Sequence, residues 1–171
     1  MGEVAGRRAT PGGGTLTDDM VRQIHDLTWA NMTRIVPASE SREADYRKWR
    51  EAFDRNEAAG TRHILHVHAG ALRGYISYTP TTTEVYWNEA QVHPDDQGKG
   101  IVLRDLLNSF AAMLMRETAP AVRTYANRRN ERSQALLLKL GFTIAGTTER
   151  GVRYVIARED LLRRLGRRSG R

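Results

Sequence analysis

The chain contains no cysteine. Disulfides, thiolate metal sites and a cysteine nucleophile are excluded together, and with them any acyl intermediate carried on sulfur of the chain itself. A run of about 18 apolar residues is also missing, so no membrane span is predicted, and the opening MGEVAGRRATPGGG lacks the apolar core of a secretory signal. The expectation is a soluble, cytoplasmic protein. Lacking too is a broad basic surface. Of the net charge of +7, the stretch 158–171 holds six arginines against Glu159 and Asp160, and residues 1–15 hold Arg7 and Arg8 against Glu3, which leaves the body at only about +2. A basic tail can touch phosphates without selectivity, but no comparable excess remains to line a groove, so nucleic acid is not the expected partner.

What is present is one domain's worth of chain: 171 residues, 40% apolar, without internal repeats. Residues 1–15, with the PGGG run at Pro11 to Gly14, read as a flexible tail, 16–157 as a single domain and 158–171 as a basic tail. Thr17 and Asp18 are N-cap candidates for a helix carrying Met20, Val21, Ile24, Leu27 and Thr28 at helical spacing. A second helix over 43–58 puts Tyr46, Trp49 and Phe53 on one side, as either core packing or a wall of a substrate pocket. After Gly60 the period changes to two: HILHVH, LRGYISY and EVYWNEAQVH read as three antiparallel strands, joined at Ala69-Gly70 and at Thr79 to Thr83. A helix over 101–116 turns Leu103, Leu106, Leu107, Phe110 and Leu114 inward. The strand AVRTYA, a short helix ending at Gly141 and a closing hairpin of FTIAGT and VRYVIA complete a mixed α/β sheet.

The stretch VHPDDQGKGIVLRDLL is a strand end, a polar loop with two glycines, and an abrupt helix. Such a loop leaves the first-turn N–H groups free for a phosphate, and it also serves as a plain turn. It is not a phosphate-binding loop of the GKS or GKT kind, and Leu103 stands where a dinucleotide fingerprint needs a third glycine.

Together with NERSQALLLKLGF this stretch resembles the GNAT family of N-acetyltransferases, over roughly residues 64–157. The first signature is matched by Gln97, Gly98, Lys99, Gly100, Ile101 and Val102, and the second by Asn130 through Gly141 and Phe142. The resemblance implies a mixed, mostly antiparallel sheet flanked by helices, with a splayed strand pair that binds acetyl-CoA as co-substrate. It implies pyrophosphate on the backbone of Gly98 to Leu103, pantetheine along Ala90, Gln91 and Val92, and cofactor contacts from Asn130 and Ser133. No metal is implied, and relatives are commonly dimers. The sequence departs from the pattern at Val102, where the family prefers Gly or Ala and which predicts a weaker site. It departs again at Leu137, where many members carry a general-acid tyrosine; Ser133 or a water would fill that role. Tyr125 stands where the branch acting on a ribosomal protein's N-terminal alanine has an acid, which argues against that branch.

The chemistry implied is acetyl transfer to a primary amine of a small molecule or peptide, by direct attack in a ternary complex. An alkyl amine of pKa about 10.4 lies about 3.4 units from neutrality at pH 7, or ~4.6 kcal/mol, so a base is valuable. Glu89 is the candidate and Glu84, at the strand start, its rival. Simple alternation puts Trp87, Glu89 and Gln91 on one face and Tyr86, Asn88, Ala90 and Val92 on the other. Trp87, Tyr86 and Tyr78 line the acceptor side or pack between strands. His66 and His68 share a strand face but lack an evident third metal ligand, and His93 either orients a water or sits in a surface loop. The family's acceptor pocket maps to 29–60 and the hairpin after Phe142. Two rival readings stay open: a non-catalytic acyl-CoA-binding module, and an RNA-associated acetyltransferase using the arginine tail.

Overall fold

The computed structural model describes residues 16–169, with side chains as far as Gly166. The flexible tail expected over 1–15 lies outside the described residues, as do the side chains of Arg167, Arg168 and Arg171. Five helices, α1 (Asp18–Met32), α2 (Arg42–Ala58), α3 (Ile101–Leu114), α4 (Glu131–Lys139) and α5 (Arg158–Ser169), flank six strands. These are β1 (Arg62–His68), β2 (Ala71–Pro80), β3 (Glu84–Val92), β4 (Ala121–Asn127), β5 (Thr143–Thr147) and β6 (Gly151–Ala157). Their order in the sheet is β1-β2-β3-β4-β6-β5, antiparallel throughout except for the β3–β4 pair.

The sheet is sandwiched between two apolar clusters. On one face Val102, Leu106, Phe110 and Leu114 of α3, Leu137 of α4 and Leu140 at its C-cap, and Trp87 and Tyr78 from the strands form the larger core. On the other, Val21, Ile24 and Leu27 of α1 and Phe53 of α2 pack on Leu72 and Tyr75. Local chemistry sets the helix starts: the Thr17 hydroxyl accepts from Met20 N–H, and the Ser41 hydroxyl from Ala44 N–H.

Residues 158–169 correct the expectation of a tail. They form α5, whose Leu161 and Leu165 are buried in the larger core, each contributing about 1.5–3 kcal/mol by leaving water. Arginines dominate the segment's composition, but two leucines four residues apart on one helical face decide its placement. No helix among the described residues is long and apolar enough to cross a membrane.

Two irregularities position the site. β3 and β4 pair only from Glu84↔Ala121 to Trp87↔Thr124, and beyond that point they diverge. The Thr124 hydroxyl donates to Trp87 C=O at 2.8 Å beside that last pair. At nearly the same place Asn88 is inserted as a bulge, since Ser77 faces Glu89 while Tyr78 faces Trp87.

Candidate active site

The Asn88 bulge overturns the simple alternation along β3. Trp87 points into the larger core against Phe110, 5.0 Å between ring centroids, whereas Glu89 and Gln91 sit on the α1–α2 face, bonded to Tyr75 and Asn31 respectively. One extra residue reverses the face of everything that follows it. Tyr78 packs in the same core as Trp87, and Tyr86 is exposed.

The splay between β3 and β4 opens a cleft of about 770 Å³. Ala90, Gln91, Val92, Gln97 and Leu103 line one side, Asn130, Ser133 and Leu137 the other, and Glu89 reaches it from β3. His93 N–H bonds to Arg73 C=O, so by alternation Gln91 pairs with β2 while the backbone groups of Ala90 and Val92 face the splay. Gln91 therefore meets the cleft through its side chain. Val92 C=O accepts from both Asn31 Nδ2 and Gln97 Nε2, each at 3.0 Å.

The glycine loop ends the cleft. Gly100 is the N-cap of α3 with φ +77°, and no side chain caps the helix. Arg104 N–H to Gly100 C=O is the first rung of its ladder, so the N–H groups of Ile101, Val102 and Leu103 precede it. Asp96, gripped by Arg73 Nε at 2.7 Å, holds the preceding Pro94–Asp96 turn, and His93 caps that turn by accepting from Asp95 N–H. Lys99 is exposed.

Val102 does not obstruct this loop. Its side chain is buried against Gly74 of β2, where a Cβ would stand 2.8 Å from both Val102 Cγ1 and Gln91 C=O and 3.0 Å from Leu106 Cδ1. A glycine in the strand gives the space that the valine occupies, so the expected weakening of the site has no steric basis. Gly74→Ala is expected to cost about 1–3 kcal/mol by overpacking, seen as a lower urea midpoint at unchanged slope. Val102→Ala restores only part of it, because the Gln91 oxygen stays in place.

Asn130 Oδ1 caps α4 by accepting from Ser133 N–H at 3.0 Å. Leu137, in the position of the missing tyrosine, is buried in the core with its edge on the cleft. Three cations outside both motifs' expected contacts, Arg34, Arg129 and Arg132, also line the cleft. For Arg129 and Arg132 the signal lies in the NRRNER run, 127–132; Arg34, just after α1, carries none.

A polar chain crosses the site from α4 to the second core. Arg132 donates to Gln97 Oε1, Gln97 Nε2 to Asn31 Oδ1, Asn31 Nδ2 to Gln91 Oε1, and Gln91 Nε2 to Glu89 Oε1, at 2.8–3.0 Å. Glu89 Oε2 lies 2.6 Å from Tyr75 Oη, which lies 2.5 Å from Thr28 Oγ1, itself 2.9 Å from Ile24 C=O. Tyr75 and Thr28 bring two hydroxyl hydrogens to these three contacts, so all three are satisfied together only when Glu89 carries a proton. Burial pushes the Glu89 carboxyl above the usual carboxylate range, against the bonds from Tyr75 and Gln91 that favour its anion. Burial, with Glu89 beside it, likewise pushes the Tyr75 hydroxyl up. Asn31 and Tyr75 carry no motif; their roles come from packing. Glu84 is spent in an ion pair with Arg123.

A second cavity, about 200 Å³, lies under α2. Trp49, Ala52, Phe53 and Asn56 of α2, Ile24, Thr61, His63, Tyr75 and Ser77 line it, together with Asn88 and Glu89. Among the described residues, Asn88 and Glu89 alone line both cavities. The aromatic stripe of α2 is thus core and pocket wall at once. His66 Nδ1 lies 3.8 Å from Asp105 Oδ2, and no group of three or more His, Asp or Glu able to hold a metal occurs among the described residues.

No family model matches the chain, and no curated protein matches it. Among solved structures it is similar to the PaiA N-acetyltransferase of Thermoplasma acidophilum in complex with coenzyme A, with 14% identity over 84% of this chain and 96% of that one and a TM-score of 0.68. An acetyltransferase from Thermus thermophilus matches at 17% identity, 83% and 93% coverage and TM-score 0.65. The Campylobacter jejuni N-acetyltransferase PseH in complex with acetyl coenzyme A matches at 14%, 83% and 92%, and 0.57. The chain has the fold of the GNAT acetyltransferases.

Proposed function

We propose that the protein is an acetyl-CoA-dependent N-acetyltransferase acting on a primary amine by direct attack in a ternary complex. The observation that carries this reading is the meeting of two cavities at one half-buried carboxyl group, Glu89. A reaction between two bound molecules needs two sites that open onto one reacting point. The fold supports the reading independently.

The larger cleft suits the co-substrate. The N–H groups of Ile101, Val102 and Leu103, which no side chain caps, and the guanidinium groups of Arg34, Arg129 and Arg132 suit its phosphates, and the Ala90 backbone suits its amide arm. Acetyl-CoA supplies an acyl group on a thiol leaving group. The chain's own part is to take and return protons. Glu89 accepts a proton from the amine whose nitrogen attacks the acyl carbon, and the Ser133 hydroxyl, or water beside it, delivers one to the departing sulfur. The raised affinity of Glu89 for a proton makes it a stronger base than an exposed carboxylate.

The sign of the pH dependence follows. Glu89 is active as base only when ionised, so kcat/KM rises with pH through an apparent pKa above the ordinary glutamate value of 4.5. An activity profile in buffers of constant ionic strength measures that limb, and Glu89→Gln removes it. A limb at or below the ordinary value would assign the proton transfer to another group.

A further inference from the structure

We infer that the 200 Å³ cavity is the acceptor site and that it takes an arylalkylamine: one flat, uncharged ring carrying a hydrogen-bond donor, joined to the primary amine by a short arm. The inference rests on the reading of Glu89 as the base. Four observations carry it.

The first is size. An apolar cavity of about 150 Å³ holds one benzene ring, so this one holds a ring and a short arm. The second is the walls. Trp49 and Phe53 sit 4.8 Å apart, and Phe53 stacks on His63 at 5.0 Å and 19°, which gives a run of aromatic faces against which a ring packs. The third is charge. Among the described residues no lysine or arginine lines the cavity, so none of them pairs there with the carboxylate of an amino acid or with a phosphate.

The fourth is a polar row across the sheet. His63 pairs with Ser77 on the neighbouring strand and Ser77 with Glu89 on the next, so the three stand side by side on one face. Two strand spacings put His63 about 10 Å from Glu89, with the small serine between them as floor. His63 Nε2 lies 2.8 Å from Glu57 Oε1 without hydrogen-bond alignment, and Nδ1 has no partner. Burial holds the imidazole pKa down, so the ring is neutral at pH 7. The carboxylate beside Nε2 favours the tautomer with its hydrogen there, which leaves Nδ1 as a buried acceptor without a partner, on a ring that lines the cavity. A ring O–H or N–H meets that need.

The test is calorimetric titration of the full chain, saturated with CoA, with tyramine, phenethylamine, spermidine and tyrosine, beside acetylation assays on the same four. Tyramine is expected to bind about 5-fold tighter than phenethylamine, the effect of one neutral hydrogen bond, and both at least 10-fold tighter than spermidine or tyrosine. His63→Leu is expected to erase the tyramine preference and leave phenethylamine unchanged. Ala52→Phe, on a half-buried face of α2, fills the cavity and is expected to abolish binding of both while the heat of acetyl-CoA binding stays the same. Equal or better use of spermidine or tyrosine, or ring-amine binding that survives Ala52→Phe, overturns the inference while leaving the transferase reading intact. Tyramine binding without any acetylation removes the transferase reading, and the acceptor role of the cavity with it, while the fit of the cavity to a ring amine stands.

Discussion

Glu89→Gln is expected to lower kcat by about 10²–10⁴, the range for loss of a general base, with acetyl-CoA affinity changed less than about twofold. Glutamine keeps the volume and can still bond to Tyr75 and Gln91, so the substitution removes the titrating group and little else. The carboxyl is half-buried and has no cation within ion-pair distance among the described residues; its partners are a phenol and an amide. A group kept solely for packing at such a place would be more stable as an amide, because a buried unpaired carboxylate is costly. Stability at neutral pH is accordingly expected to stay equal or rise in the variant while turnover collapses. An acyl-CoA-binding module without catalysis predicts no change in any rate, and a change under about threefold decides for that alternative.

Gly100→Glu is expected to weaken acetyl-CoA binding at least 100-fold. Two effects add. Position 100 has φ +77°, which costs a side chain about 1–2 kcal/mol, and the new carboxylate occupies the uncapped helix start where a phosphate would sit. Nothing lies within 4 Å of the added Cβ, so the loss is not one of packing. Gly60→Glu is the control: it has φ +97° and equally open surroundings, follows α2, and lines neither cavity. It carries a similar strain and the same charge and is expected to bind acetyl-CoA normally. Equal loss in both variants would mean that strain alone is being measured.

Much of this site was legible in the sequence because its parts are local. A strand end, two glycines and a helix start are consecutive in QVHPDDQGKGIV, and Asn130 caps the helix that it begins. Period-two segments gave the strands, and turn residues gave their limits. What stayed hidden depends on register or on distant contacts. The bulge at Asn88 leaves no mark in EVYWNEAQV, yet it turns Glu89 away from Trp87 and toward Tyr75. Val102 departs from the family's pattern until Gly74, 28 positions earlier, is seen beside it. The burial of α5 was masked by arginines that outnumber its two inward leucines. The polar chain through Arg132, Gln97, Asn31 and Gln91 joins residues up to 101 positions apart, and no spacing rule reaches that far.

The most direct measurement of the central claim is thiol release from acetyl-CoA in the presence of tyramine, followed by mass analysis of the amine. With no cysteine in the chain, every free thiol that appears comes from the co-substrate. The account predicts thiol and N-acetylated amine in equal amounts with the wild-type chain, and a rate lower by about two orders of magnitude or more with Glu89→Gln. Tight acetyl-CoA binding with thiol release no faster than in buffer, for tyramine and for every other primary amine supplied, would contradict it.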